Sequence, residues 1–309
     1  MNPDWCEVLQ KSTDPRLVVL ATSQIVEPFS IQPRNHSSCI YLCDAYLRSV
    51  EEQGREVVGG YQLGQWVNID HHAPTLRMSR MISSTPLAIE RVRQVGTALK
   101  DDIVAINHHD CDSVLSAAIM LGILPPHEVF GQAAINADHT GQQNAIADLL
   151  QSIAKAKDFA FSLGNLVKLS TAQPLDDQAQ VWLTQHLQDR EKAKDVVTQG
   201  DFRTLPGGLV WGELEARIEG AFFPALLPKA KLILIVSPLT GTTNKRMSLR
   251  LGLAAPEGVT INTLNIPTLD SAYGGRWNAG SNNRAGGTSV APQEYARALD
   301  ARLAQLMPD

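Results

Sequence analysis

Ile103-Val104-Ala105-Ile106-Asn107-His108-His109-Asp110-Cys111-Asp112-Ser113 is the stretch on which the fold turns. An apolar, β-branched run stops at Ile106, ionisable side chains follow at once, and a helix-like apolar segment runs from Ser113 to Leu124. A strand that empties into a polar loop and then a helix is half of a parallel α/β unit. Along an extended chain alternate side chains share a side, so His108, Asp110 and Asp112 face together while Cys111 turns away to pack. One imidazole and two carboxylates at a strand end suit a divalent cation. The same residues also suit a plain βα loop in which Asp112 or Ser113 caps the helix.

Working outward, 309 residues are enough for two domains, and 44% hydrophobic against 19% charged residues describes a globular protein without a disorder signature. A net charge of −5 gives no reason to expect long duplex nucleic acid as a partner. Met1–Gln10 carries Asp4 and Glu7 and lacks the basic-then-apolar pattern of a signal peptide, and the longest apolar run, Leu232–Val236, is too short to span a bilayer. The four cysteines form no CxxC pair, and Cys39 and Cys43 stand at helical spacing as small buried hydrophobes. A cytoplasmic location without a membrane partner is expected.

Leu17 to Thr22 reads as a buried strand, and the apolar positions from Ser38 to Gln53 fit a helix ended by Gly54. Strand-like runs follow at Glu56–Val58 and Gln65–Ile69, the second ending in Asp70-His71-His72. Ser83-Ser84-Thr85-Pro86 predicts a capped helix start with proline in the first turn. Val129–Ile135 is a further short apolar segment, ending in Asn136-Ala137-Asp138-His139-Thr140-Gly141, and helical patterns fill Gln143 to about Val197. The pattern breaks between Gly200 and Gly208. Beyond it come β-like runs at Leu209–Leu214, Lys231–Val236 and Met247–Leu253, a glycine- and asparagine-rich loop at Gly274–Thr288, and a helix from about Pro292 to Leu306. The expected fold is α/β, with a parallel-sheet domain over 1–200 and a smaller mixed α/β domain over 201–309.

Five of the eight histidines lie in three short loops that each carry aspartate and each follow an apolar, strand-like run. In a parallel sheet the strands' C-terminal ends share one edge. Asp70, His71, His108, Asp110, Asp112 and Asp138 would therefore meet in one cavity. Carboxylates packed that closely repel unless cations neutralise them. A two-metal centre resolves the conflict, and oxygen-rich ligation with a few histidines favours Mn²⁺ or Mg²⁺, two per chain. Singly, each loop also suits a capped turn.

These residues resemble the DHH phosphoesterases, a group of manganese pyrophosphatases, RecJ-like single-strand exonucleases and phosphatases of oligoribonucleotides and cyclic dinucleotides. Asn68-Ile69-Asp70-His71-His72 is similar to the name-giving motif, and Ile82-Ser83-Ser84-Thr85-Pro86-Leu87 to the helix start that follows it. His108 to Ser113 with Ser116-Ala117-Ala118 resembles the HxDxD(G/S)xxSA motif, although here it follows DHH instead of preceding it. Ser248-Leu249-Arg250 with Gly274-Gly275-Arg276-Trp277-Asn278-Ala279-Gly280 resembles the substrate-binding, DHHA1-like part, with the expected histidine replaced.

The resemblance implies a metal-dependent hydrolase of phosphoester bonds, acting on a small phosphorylated molecule, nucleotide or short oligonucleotide through a two-metal site between two domains. It implies Asp70, His71, His108, Asp110, Asp112 and Asp138 as metal residues. Asp70 either ligates or orients, and catalysis depends on Asp110 and on His72, which faces the substrate phosphate. In the C-terminal loop the glycines let backbone N–H groups approach an anion. Arg276 and Arg284 can grip phosphate oxygens in bidentate fashion, Asn278 adds neutral hydrogen bonds, and Arg250 adds charge; a surface loop rich in turn formers is the other reading. Trp277 suits base stacking or core packing equally. An exonuclease on single-stranded nucleic acid and a catalytically inactive binding or scaffold relative stay open, and the resemblance leaves room for a homodimer.

Overall fold

The structure, a computed structural model, describes residues 14–20, 31–72, 81–200 and 202–306. The reading of Met1–Gln10 and the last two residues of the strand expected over Leu17 to Thr22 lie outside the described residues. The chain divides into two compact units. One is formed by the described residues of Met1–Arg77 with Met81–Asp138 and Gln143–His186, the other by His139–Gln142 and the described residues of Leu187–Asp309.

The first unit is built on a six-stranded sheet in the order β1-β6-β2-β5-β4-β3. Its strands are β1 (Leu17–Val19), β2 (Ile40–Cys43), β3 (Arg55–Val57), β4 (Gly60–Leu63), β5 (Trp66–Ile69) and β6 (Ile103–Ile106). β1, β6, β2 and β5 run parallel, and β4 and β3 extend the sheet as an antiparallel hairpin. Every residue of β2, β5 and β6 is buried, so these strands read as unbroken apolar runs, as two-sided burial demands.

One face of the sheet (Tyr41, Cys43, Val67, Ile69, Val104, Ile106) packs against α2 (Ser84–Gln94), α3 (Cys111–Met120), α4 (Glu128–Ile135), α5 (Ala145–Ile153) and α6 (Phe159–Ser170). The other face (Ile40, Leu42, Trp66, Ile103, Ala105) carries Leu47 and Val50, beside the short helix α1 (Arg48–Gln53). Each fully buried aliphatic chain here contributes about 1.5–3 kcal/mol, so a sheet covered on both faces is fixed in register by its own side chains.

Three expectations are corrected. Ile40–Cys43 is a strand, not the first turn of a helix, and only Arg48–Gln53 is helical. A fully buried strand lacks the alternation that marks half-buried ones, and its apolar run also fits a helical stripe. Cys39 and Cys43 accordingly belong to the start and end of a strand region; with Cys111 they are free thiols. Val129–Ile135 is helix, not strand. His127 caps α4 by accepting the Val129 N–H, and the chain then winds through a π-helical turn, Asn136–Thr140, that carries Asp138.

The second unit holds another six-stranded sheet, in the order β11-β12-β10-β9-β8-β7. Its strands are β7 (Arg203–Thr204), β8 (Leu209–Glu213), β9 (Leu232–Pro238), β10 (Lys245–Leu251), β11 (Gly274–Arg276) and β12 (Ala279–Ser281). Only β8 and β9 are parallel. The short helix α8 (Phe223–Leu226) precedes β9, and the helix α9 (Pro292–Gln305) buries Tyr295, Leu299 and Leu303 against one face, with Leu234, Val236, Met247 and Leu249. The long helix α7 (Asp177–Gln199) contributes its first part to the first unit and its remainder to the second.

The glycine-rich loop is also corrected: its first half is a hairpin. Gly275 pairs with Gly280, and a Cβ on Gly275 would stand 2.3 Å from the Gly280 Cα. Two facing glycines allow this close approach, which sequence alone reads as a turn-rich loop.

Candidate metal centre

Because β2, β5 and β6 are parallel and adjacent, their C-terminal ends open on one edge. Each delivers acidic or imidazole side chains there: Asp44 after β2, Asp70-His71-His72 after β5, and His108 with Asp110 after β6. The strand bearing the HxDxD-like motif lies beside β2, with β5 on the other side. Chain order is thus immaterial to the meeting of the motifs, since all three strands point the same way.

Asp44 is the residue that sequence reading missed. It is buried, 1% exposed, and each carboxylate oxygen faces a different histidine. Oδ2 lies 2.9 Å from His108 Nε2, and Oδ1 lies 3.4 Å from His71 Nε2. Serine hydroxyls donate to both oxygens, Ser113 to Oδ2 at 2.8 Å and Ser84 to Oδ1 at 3.3 Å. The signal was present: an aspartate directly after an apolar run, like the other two loops. It was masked by the helical reading of residues 38–53.

Around Asp44 the side chains fall into two groups. In the first, His108 Nε2 stands between Asp44 and Asp110 Oδ2, the latter at 3.3 Å. His108 Nδ1 donates to Asn107 Oδ1 at 2.5 Å, which aims Nε2 at the carboxylates. Burial alone would lower the His108 pKa, but the Asp110 and Asp44 carboxylates push it up to about 12. Burial raises Asp110 and Asp44, and the His108 charge outweighs it, lowering Asp110 and holding Asp44 well below the usual carboxylate range.

In the second group His71 Nε2 lies 3.4 Å from Asp44 Oδ1, 3.6 Å from Asp138 Oδ2 and 3.8 Å from Asp112 Oδ2. All four side chains are almost wholly buried. Burial, then Asp44 and Asp138, drive the Asp112 carboxyl well above its ordinary value. Asp112 also accepts the Ser84 and Thr85 N–H groups at 2.6 and 2.7 Å, so it caps α2 from a distant segment. The cap of α3 is Asp110, whose Oδ1 accepts the Ser113 N–H, and neither Asp112 nor Ser113 plays that part.

Asp70 turns to His72. Its Oδ1 accepts the His72 Nδ1 proton at 2.7 Å and its Oδ2 the His72 N–H at 2.8 Å, which leaves the lone pair of that imidazole on Nε2. Asp138 is held by the Ser83 hydroxyl at 2.9 Å. His109, on the opposite parity from His108, is buried, and burial followed by the His108 charge lowers its pKa.

The donor set fits divalent cations: Asp44, His108 and Asp110 hold ligand atoms within 4.8 Å of one another, as do Asp44, His71 and His72; with His72 Nδ1 given to Asp70, the further donor beside His71 is Asp138, 3.6 Å from its Nε2. Four carboxyl groups this close together disfavour one another's charge, as the raised Asp112 carboxyl reflects, and a divalent cation relieves that repulsion.

The remaining predicted site residues lie in the second unit. Strand pairing sets Arg250 opposite Ala279 and Ala279 opposite Arg276, so both arginines share one sheet face. Arg246, two residues before Ser248, joins that face and was not singled out from sequence; its Nε is buried, and burial, then Arg217, lower its pKa. Arg250 pairs with Glu219 at 3.3 Å. Arg284 sits exposed in a 3-10 turn, Asn283–Ala285, beyond the hairpin. Asn278 and Trp277 turn inward, 4% and 2% exposed, and Asn278 Nδ2 lies 3.0 Å from His139 Nδ1. Trp277 is a packing residue.

No protein-family model and no curated protein matches the sequence. Among solved structures the chain is similar to the pGpG-specific phosphodiesterase PggH of Vibrio cholerae, with 12% identity, 72% of this chain and 95% of that one covered, and a TM-score of 0.42. It is similar to an exopolyphosphatase-related protein of Bacteroides fragilis at 14% identity, with 78% and 64% covered and a TM-score of 0.36. RecJ of Thermus thermophilus, solved with Mg²⁺, matches at 12% identity over 73% of this chain and 35% of its own, with a TM-score of 0.33. All three are members of the DHH superfamily. At such identities the likeness to DHH proteins is one of chain course alone. Among the described residues no helix is long and apolar enough to cross a membrane.

Proposed function

We propose that the protein is a metal-dependent phosphoesterase of the DHH type, hydrolysing a small phosphorylated molecule, nucleotide or short oligonucleotide. The observation that carries this reading is Asp44, whose two oxygens face two separate imidazole–carboxylate groups. A carboxylate so disposed serves as the shared ligand of a metal pair. In this reading Asp44, His108 and Asp110 would hold one Mn²⁺ or Mg²⁺ ion, and Asp44, His71 and Asp138 would hold the other, with Asp112 beside them. Such ions supply Lewis acidity toward phosphoryl oxygen and acidify water.

The chain's own residues do the rest. Asp70 fixes the His72 tautomer, so His72 presents Nε2 to a phosphoryl oxygen or a leaving group. Asn107 does the same for His108. The arginines of the second sheet, Arg250 and Arg276 with Arg246, supply a cationic face for phosphate, and Arg284 adds an exposed charge. Net acidity elsewhere favours short substrates over long strands.

A panel of phosphate esters, dinucleotides and short oligonucleotides, assayed with Mn²⁺ and with chelator, tests the proposal. Hydrolysis that needs Mn²⁺ and disappears in Asp110→Ala supports it. Chelator-insensitive turnover, or full metal-dependent activity in Asp110→Ala, sinks it.

A further inference from the structure

Asn68 sits on β5, two residues before Asp70, and is fully buried. Its amide is spent on a neighbouring loop. Oδ1 accepts the Leu47 N–H at 3.1 Å, and Nδ2 donates to the Ala45 carbonyl at 2.9 Å and the Leu42 carbonyl at 3.4 Å. These three backbone groups flank Asp44. Asp44 itself has φ +53, a left-handed conformation that a side chain with a Cβ rarely adopts. Its own N–H donates to the Ile69 carbonyl at 3.0 Å. The backbone of the turn that aims Asp44 is therefore tied at four points to β5, the strand that also carries the DHH triplet.

We infer that Asn68 is the positioning residue for Asp44, holding that turn so that one carboxylate reaches both imidazoles. The inference rests on the two-metal reading above. Only a side chain with one acceptor and two donors on a short stem can bind the Leu47 N–H and the Ala45 and Leu42 carbonyls together. Aspartate keeps the acceptor and loses the donors; alanine loses everything. A turn relaxed toward the ordinary φ range would swing Oδ2 away from His108 or Oδ1 away from His71. Each group would keep its other ligands, so the specific loss is of the bridge.

Electron paramagnetic resonance on the Mn²⁺-loaded protein reads this directly. Two Mn²⁺ ions sharing a carboxylate give a broad, exchange-coupled spectrum, whereas separated ions give the six-line pattern of isolated Mn²⁺. Wild type is expected to show the coupled signal, and Asn68→Ala to lose it with a fall of tenfold or more in affinity for the second ion. Asn68→Asp, which preserves volume and the Leu47 bond, serves if the alanine variant does not fold, and is expected to behave likewise. Asn165→Ala is the control. That residue is also a buried, fully engaged amide, bonded to Phe161 and Asp176 away from the site. It is expected to lower stability and keep the coupled spectrum. A folded Asn68 variant with wild-type affinities and coupling overturns the inference alone. Wild-type protein that takes up no Mn²⁺ overturns it together with the functional reading.

Discussion

Replacing Asp44 by Asn separates a shared ligand from a merely crowded acidic pocket. The structure gives Asp44 one oxygen in each group, whereas Asp110 belongs only to the group of His108 and Asp138 only to that of His71. An ion at about a hundred times its dissociation constant stabilises the folded state by about 2.7 kcal/mol, so two independent ions give about 5.4. Loss of a direct ligand costs about a hundredfold in affinity, at the upper end of what even outer residues cost, which leaves about 0.4 kcal/mol per damaged site. Asp110→Asn and Asp138→Asn should each retain about 3.1 kcal/mol of Mn²⁺-induced stabilisation, and Asp44→Asn about 0.8. At about 2–4 °C per kcal/mol, the Mn²⁺-induced rise in melting temperature falls from about 11–22 °C in wild type to about 6–12 °C in the single-site variants. In Asp44→Asn it falls to about 2–3 °C. Differential scanning calorimetry with and without Mn²⁺, backed by titration calorimetry for stoichiometry, measures this. An Asp44→Asn protein whose Mn²⁺ shift equals that of Asp110→Asn would refute the shared-ligand reasoning.

Three further outcomes are expected. His72→Asn should keep two-ion Mn²⁺ binding by calorimetry while lowering kcat on a responsive phosphodiester about 10²–10⁴-fold, because only the group facing substrate is lost. Gly60→Ala would set a Cβ 2.1 Å from the Asn68 carbonyl oxygen across the β4–β5 pairing; urea unfolding should register a loss of about 1–3 kcal/mol, and Mn²⁺ affinity should fall because β5 carries the site. The Arg16 side chain, hydrogen-bonded to Asp14 at 2.6 and 2.9 Å, lowers the Asp14 pKa. A carboxylate depressed on folding stabilises the protein above its unfolded pKa, about 3.9, and that contribution is lost as pH falls through the folded value. Asp14→Asn should therefore be less stable than wild type at pH 6, by up to about 1 kcal/mol, and in urea titrations the gap should narrow progressively as pH falls below about 3.9.

The site was legible where polar chemistry interrupts an apolar run. Ile103–Ile106 is a strand with the bounds expected, and the histidines and aspartates after it stand at its C-terminal end. The first-turn proline of α2 and the closing helix α9 were readable from capping residues and apolar spacing. What could not be read depended on partners distant in sequence. Ile40–Cys43 is a strand because β5 and β6 flank it, which no local pattern records, and Asp44 was lost with it. Asp112 has no intrinsic mark of a helix cap, since the helix it caps begins 28 residues earlier. Asp138 rides on a helical turn because alanines and a capping histidine let Val129–Ile135 wind up. Arg246 and Arg276 share a face only through strand register, across a hairpin that facing glycines make narrow enough to pair.

The most direct measurement is anomalous diffraction at the manganese edge from crystals grown with Mn²⁺. Two peaks about 3.5–4 Å apart, one on each side of the Asp44 carboxylate, with His108 and Asp110 on one and His71 and Asp138 on the other, are the predicted result. A single peak that leaves Asp44 on one ion, or manganese bound away from the ends of β2, β5 and β6, would contradict it.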